Sequence, residues 1–167
     1  MGEKRMSEAN DGTGNCVERD EWETPKKLWD TLNEQYNFTF DCCASKKNTK
    51  CLKCFTKDTS FLNVIYPISE NNIAWLNPPF SKARKIFEHF FKIIDQGIAI
   101  YRCDNIETRI WQDIIFQNAS WVFIPNKRIR YEGMPGKGSR FPSALIGLNV
   151  PYPTNLKGTI LEVKRCV

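Results

Sequence analysis

Residues 73–80, reading I-A-W-L-N-P-P-F, constrain the fold of this chain more than any other stretch. Three of the four residues from 73 to 76 are strongly apolar, the composition of a short buried strand. The two prolines that follow cannot continue it, because proline lacks the N–H that a strand ladder uses. The chain must leave a sheet at Asn77. Asn77, Pro78, Pro79 and Phe80 then present an amide, a stiff backbone and an aromatic ring at the strand's C-terminal end. Ligands of open α/β sheets bind at such ends. Taken alone, the four residues also suit a plain strand-ending turn, so the rest of the chain has to decide.

On either side of this stretch the apolar period alternates between two and about 3.6 residues. Thr24 as N-cap and Pro25 as first helical residue predict a helix carrying Leu28, Trp29, Leu32 and Tyr36 on one face. Residues 38–44 read as a strand ending in small residues, and 45–72 as a polar, irregular segment. Ser81 can cap a helix with Ala83, Ile86, Phe87, Phe90, Phe91, Ile93 and Ile94 on its broad apolar side, ended by Gly97. A strand is expected at 98–102, a helix at 105–117, and strands at 121–124, 144–148 and 159–163. Strands separated by helices of about a dozen residues imply an α/β fold, a mainly parallel sheet with helices on both faces. The last two strands lack an intervening helix, which allows an antiparallel edge.

Residues 1–20 are polar and aperiodic and are expected to form a mobile tail, leaving residues 21–167 as one domain. Hydrophobic residues make up 41% of the 167, which excludes a disordered chain. The net charge of +5 suits a polyanionic partner without specifying one. There is no membrane-spanning run and no signal-peptide core. Seven cysteines, an odd number, then point to reduced thiols in an intracellular, reducing compartment.

Asn77 to Phe80 match the [DNS]-P-P-[YFW] signature of methyltransferases that act on planar exocyclic or amide nitrogens with S-adenosylmethionine. The chemistry accounts for these residue types. An adenine amine is a weak nucleophile because its lone pair is delocalised into the ring. The Asn77 side-chain oxygen can accept one amine hydrogen and the Pro78 carbonyl the other, favouring a pyramidal nitrogen. Phe80 offers a flat face to an unstacked base. Catalysis of this kind is mostly positioning and electrostatics.

Four segments in order, W-E-T-P at 22–25, F-D-C-C-A-S at 40–45, W-L-N-P-P-F at 75–80 and N-K-R-I-R-Y at 126–131, resemble the small phage-type, Dam-like DNA adenine-N6 methyltransferases. The resemblance spans about residues 20–150. It implies a Rossmann-like methyltransferase fold, S-adenosylmethionine as methyl donor, and double-stranded DNA whose target adenine is flipped out. By the same resemblance, Asn77, Pro78, Pro79 and Phe80 are catalytic. Trp22, Thr24, Pro25, Asp41, Cys42, Cys43, Ala44 and Asn77 hold the cofactor, with Trp22, Thr24 and Pro25 closing over its methionine end. Arg128 grips a phosphate or supports the fold. The first-strand turn lacks a G-x-G run, and Phe80 stands where Tyr is commoner.

Charge adds candidate DNA contacts. Ser81, Lys82, Arg84 and Lys85 open the helix after the proline loop. Lys127, Arg128, Arg130, Lys137 and Arg140 surround the glycines at 133, 136 and 138. Three alternatives stay open. The acceptor can be RNA or a protein amide rather than DNA. Cys42, Cys43, Cys51 and Cys54 can be read as a zinc site in a nucleic-acid-binding module or inactive partner subunit, although adjacent strand cysteines point to opposite faces and the second half of a zinc ribbon is missing. His89, alone on its helix, reads as a surface residue. With no separate recognition domain in view, base contacts fall to loops 45–72 and 127–142, or to a homodimer or partner subunit.

Overall fold

The computed structural model describes residues 20–134, 136 and 139–163. The expected tail lies outside the described residues except for Asp20, and so does Lys137. Seven strands form one mixed sheet in the order β2-β1-β3-β4-β6-β5-β7. They are β1 (Phe40–Asp41), β2 (Lys53–Cys54), β3 (Ile68–Leu76), β4 (Ile94–Arg102), β5 (Trp121–Pro125), β6 (Ser143–Leu148) and β7 (Gly158–Glu162).

The expectation of a mainly parallel sheet is corrected. β1 pairs in parallel with β2 and β3, and β3 with β4. β6 pairs antiparallel with β4 and β5, and β7 antiparallel with β5. The connections differ from those of a parallel unit in carrying no helix. A parallel return is usually made through a helix packed on the sheet, and neither β5 to β6 nor β6 to β7 is joined by one. β6 therefore turns back and inserts between β4 and β5, which leaves those two pointing the same way. The sheet is reversed only in β6 and β7.

Helices cover both faces. Trp75 of β3 meets Trp29 of α1 (Lys26–Tyr36) at 5.5 Å and Phe38 at 5.3 Å. One residue earlier the pleat points the other way. There Ala74 pairs with Gly97 of β4, and a Cβ on Gly97 would lie 2.9 Å from both the Ala74 oxygen and the Phe90 ring of α2 (Ala83–Ile93). Gly97 thus does not end the helix as expected. It lies inside β4, where only a missing side chain lets α2 approach. Farther along the same face Tyr101 meets Phe87 at 5.2 Å and Trp111 at 6.3 Å. Trp111 belongs to a π-helical turn, Ile110–Ile115, which runs into the short α3 (Phe116–Asn118), where one helix over 105–117 was expected.

Other boundaries shift for local reasons. Pro25 takes ψ 133°, so α1 starts at Lys26 with Pro25 as its cap, and Thr24 is turned inward instead of capping. The first free amide, Lys26 N–H, is satisfied by the Glu132 carboxylate at 2.7 Å. The strand expected over 38–44 is laddered only at Phe40 and Asp41. The irregular 45–72 segment contains edge strand β2, a 3-10 turn at Phe61–Asn63, and the first half of β3, whose register shifts between Ile68 and Ile73. No helix among the described residues is long and apolar enough to cross a membrane.

Candidate active site

β1 is flanked by β2 on one side and β3 on the other. After β1 the chain first adds a strand on one side, then returns to build on the other. Such a reversal leaves a crevice beyond the strands' C-terminal ends. Asp41 ends β1 and Asn77 follows β3, so the two highlighted polar residues meet at this crevice. A cleft of about 640 Å³ opens here, lined among others by Cys42, Cys43, Ala44, Phe55, Asn77 and Pro79. A second cavity, of about 40 Å³, lies against it, sharing Asp20, Cys43, Asn48 and Asn77, and is lined also by Trp22, Glu23, Thr24, Asp41, Lys50 and Trp75.

Asp41 is 5% exposed, and its Oδ1 accepts the Cys43 N–H at 3.1 Å. Burial pushes its carboxyl up to about 7, against the smaller opposing effects of that hydrogen bond and of the nearby Lys50 charge. Among the described residues no cation is close enough to form an ion pair with it. The backbone around it is fixed by Phe55 N–H donating to the Asp41 oxygen and Ala44 N–H to the Phe55 oxygen, each at 2.9 Å. Thr24 is 3% exposed, lines the small cavity, and has no hydrogen-bond partner for its hydroxyl. Pro25 lines neither cavity and serves as the cap of α1.

Asn77 donates its side-chain N–H to the Trp22 carbonyl at 3.0 Å, which leaves Oδ1 as the acceptor. Pro79 keeps an extended ψ of 129°, and its oxygen accepts from Lys82 N at 3.1 Å, turning the chain into α2. Phe80 differs from expectation. The ring is 2% exposed, with Phe141 at 5.6 Å, Tyr101 at 6.0 Å, and Trp22 and Tyr131 each at 6.1 Å. Trp22 itself lies stacked on Phe141 at 6.0 Å. No flat face of Phe80 is open to a base in this arrangement, because the segment bearing Trp22 covers it.

That segment is a strap of residues 20–24. Asp20 accepts from Ser81 N at 2.9 Å and from Ser81 Oγ at 2.5 Å. Glu23 and Glu132 exchange backbone hydrogen bonds at 2.9 and 3.0 Å. Ser81, expected at DNA phosphate, is therefore engaged within the chain.

The remaining basic residues divide. Lys82 is exposed at the rim of the cleft. Arg84 pairs with Glu88 one turn on. Lys127 and Arg140 are exposed. Arg128 and Arg130 spend their guanidiniums on loop carbonyls instead, Arg128 on Ser139 at 3.3 Å and Arg130 on Met134 at 3.0 Å and Gly136. They tie the loop together.

Among the described residues no three His, Cys, Asp or Glu side chains are grouped as a metal site requires. Burial raises the thiols of Cys42 and Cys51, the latter to about 12. His89 is half-buried, its ring 4.9 Å from Phe61.

Sequence reading missed Asp20, Asn48, Lys50 and residues 55–58 and 60–62 of the cleft wall. Apart from Asp20, at the end of the expected tail, their only signal was a polar loop directly after the first strand of an α/β sheet.

A mixed α/β sheet with polar residues and a cleft at its switch point has its candidate ligand site at the strand ends. The chain belongs to the DNA N-6-adenine-methyltransferase (Dam) family, whose sequence profile matches residues 13–144. Among curated proteins no significant match is found. The family assigns the chain to DNA methylation at adenine N6.

Proposed function

We propose that this chain is a Rossmann-like enzyme that transfers a methyl group from S-adenosylmethionine to N6 of an adenine flipped out of DNA. One observation carries the reading: Asp41 and Asn77, from strand ends on either side of the switch point, border the same small cavity. The fit to the cofactor rests on size and donors. The 640 Å³ cleft is in the range that holds cofactors, and a buried Thr24 hydroxyl awaits a partner beside the Asp41 carboxyl. S-adenosylmethionine supplies an electrophilic methyl when bound.

The residues of the chain do the positioning. Asp41 accepts from an ammonium group, and Trp22 and Thr24 close the pocket from the strap. Cys42, Cys43 and Ala44 form its floor. Asn77 Oδ1 and the Pro78 carbonyl accept the two amine hydrogens of adenine, directing the nitrogen lone pair toward the cofactor. Phe80 contributes an aromatic wall that the base reaches once the strap has moved. Lys82, Lys127 and Arg140 neutralise phosphates at the rim.

The test is transfer of labelled methyl to unmethylated DNA, with matched RNA alongside and Asn77→Ala as control. Label in DNA adenine that vanishes in the variant supports the reading. Label confined to RNA replaces the acceptor, and failure to bind S-adenosylmethionine defeats the proposal.

A further inference from the structure

The two edges of the sheet are not alike. β2, at one edge, is two residues long and carries Lys53, and shortness and lysine both keep an edge strand from pairing with another chain. β7, at the other edge, is a five-residue strand, Gly-Thr-Ile-Leu-Glu, with no proline or lysine in it. It runs against β5 without a bulge, from Gly158 opposite Pro125 to Glu162 opposite Trp121. Ile160 and Leu161, which alternate to opposite faces, are 39% and 43% exposed.

The ladder decides which backbone groups of β7 are left over. Asn126 N–H donates to the Lys157 oxygen at 3.0 Å, and Val163 N–H to the Ser120 oxygen at 3.4 Å. Bonded residues alternate along an antiparallel pair, so 157, 159, 161 and 163 are the ones that face β5. The N–H and C=O groups of Gly158, Ile160 and Glu162 therefore point outward, and among the described residues none of them meets a backbone partner.

We propose that β7 pairs antiparallel with β7 of a second copy of this chain, about a two-fold axis through Ile160, joining two sheets into one. The outward residues are self-complementary about that axis. Ile160 faces Ile160 of the second copy, and Gly158, which has no side chain, faces Glu162. Each such pair exchanges both of its hydrogen bonds. On the opposite face Leu161 lies against Thr159, so one contact covers apolar surface on both sides of the edge. The charges fit the same direction. Lys157 stands just before the strand and Glu162 at its end, so each end of the antiparallel pair holds one of each sign. The two Glu162 positions lie about 14 Å apart along the strands, beyond the screening length of about 8 Å. A parallel pairing would set them side by side. Strands this short bury less than the roughly 1,600 Å² of a standard interface, which places the dimer among weak, concentration-dependent ones. β4, β6 and β5 lie between this contact and the crevice beyond β1 and β3. The axis stands perpendicular to the sheet, so the two crevices open in opposite directions and neither is blocked.

The experiment is sedimentation equilibrium of the full chain under reducing conditions, from about 1 to about 200 µM, with Ile160→Lys and Ile160→Pro alongside. The parent should pass from monomer to dimer across this range. Ile160→Lys sets like charges on the axis, and Ile160→Pro removes an outward N–H without removing a bond to β5. Each should weaken the dimer about tenfold or more, while melting curves stay close to the parent's. Hydrogen exchange at the Gly158, Ile160 and Glu162 amides of the parent should slow as concentration rises, with Thr159 and Leu161 slow throughout. A parent that stays monomeric at the top of the range overturns the proposal, as does a dimer that a folded Ile160→Lys variant leaves intact. Outward amides already slow at the lowest concentration overturn it too, since another segment of the same chain would then cover the edge.

Discussion

The Asn77 side chain and the Trp22 main chain are joined by one hydrogen bond of 3.0 Å, and it orients the amide at the end of β3. With Nδ2 held by that carbonyl, Oδ1 is the atom presented to the crevice. Asn77→Ala removes the acceptor and should lower kcat by about a hundredfold or more, as deleting a positioned polar contact does in other active sites. S-adenosylhomocysteine affinity should stay within a few-fold, since Asp41 and Thr24 remain. Single-turnover rates alongside binding titrations check this. Parallel loss of both would make Asn77 a binding residue only.

Asp41 gives a pH signature with a definite sign. Its carboxyl titrates near 7 in the folded chain against an ordinary value of 3.8. The folded state therefore holds a proton that the unfolded chain has lost, and this group's contribution to stability falls as pH rises from about 4 to about 7. Asp41→Asn should melt higher than the parent at pH 8, with the difference closing toward pH 4. A ligand bearing an ammonium group favours the ionised form. S-adenosylhomocysteine affinity should thus rise as pH passes through about 7 in the parent and stay flatter in the variant. Melting curves and titrations at stepped pH measure both.

Phe80 lies at 2% exposure among Trp22, Tyr101, Tyr131 and Phe141. Phe80→Ala should consequently cost about 3–5 kcal/mol of stability, the range for a buried aromatic truncated to alanine. A ring that merely waited on the surface for a base would cost almost nothing. Thermal or urea unfolding of the variant separates the two cases. Trp22→Ala should release the strap as well, seen as faster hydrogen exchange at Ser81 and Glu132, whose amides bond to Asp20 and Glu23.

These residues also mark where sequence stops being informative. Trp75, Ile98, Ile100, Val122 and Leu145 sit in strands because apolar runs between turn residues can do little else, and the proline pair fixed where β3 leaves the sheet. Asp41 and Asn77 were legible as site residues because strand-end polar groups next to small or stiff neighbours have few structural uses. Two things were hidden. The polar residues 69–72 gave no periodicity, so the first half of β3 was unseen, and β2 is only two residues long. The pairing of Trp22 with Phe80, and of Lys50 with Asp41's cavity, joins segments far apart in sequence, which no local pattern records. The order of β5 and β6 was hidden for the same reason.

Gly147 tests the register of the antiparallel half. It pairs with both Ile98 of β4 and Trp121 of β5, and a Cβ there would come within 2.0 Å of the Trp121 indole. The indole is pinned by its N–H donating to the Val150 oxygen at 2.7 Å, so it cannot swing aside without losing that bond. Gly147→Ala should destabilise by about 1–3 kcal/mol, the usual cost of overpacking. Unfolding in urea gives the number. Unchanged stability would place Trp121 elsewhere.

DNA binding should separate the basic residues into two groups. Lys82 and Lys127 are exposed and form no ion pair among the described residues, so each is available to a phosphate. Replacing either with Ala should weaken DNA binding uniformly across sequences and reduce the slope of log K against log salt by about 1. Arg130 already holds the Met134 and Gly136 carbonyls, and Gly133 and Gly136 adopt the positive φ values of 83° and 82° that let the loop curl around it. Arg130→Ala should leave the salt slope nearly unchanged while making the 133–140 loop more sensitive to proteolysis. Binding titrations over a range of salt concentrations, with limited digestion of the free protein, measure both effects. A full unit of slope lost on Arg130→Ala would show that its guanidinium leaves the loop for DNA.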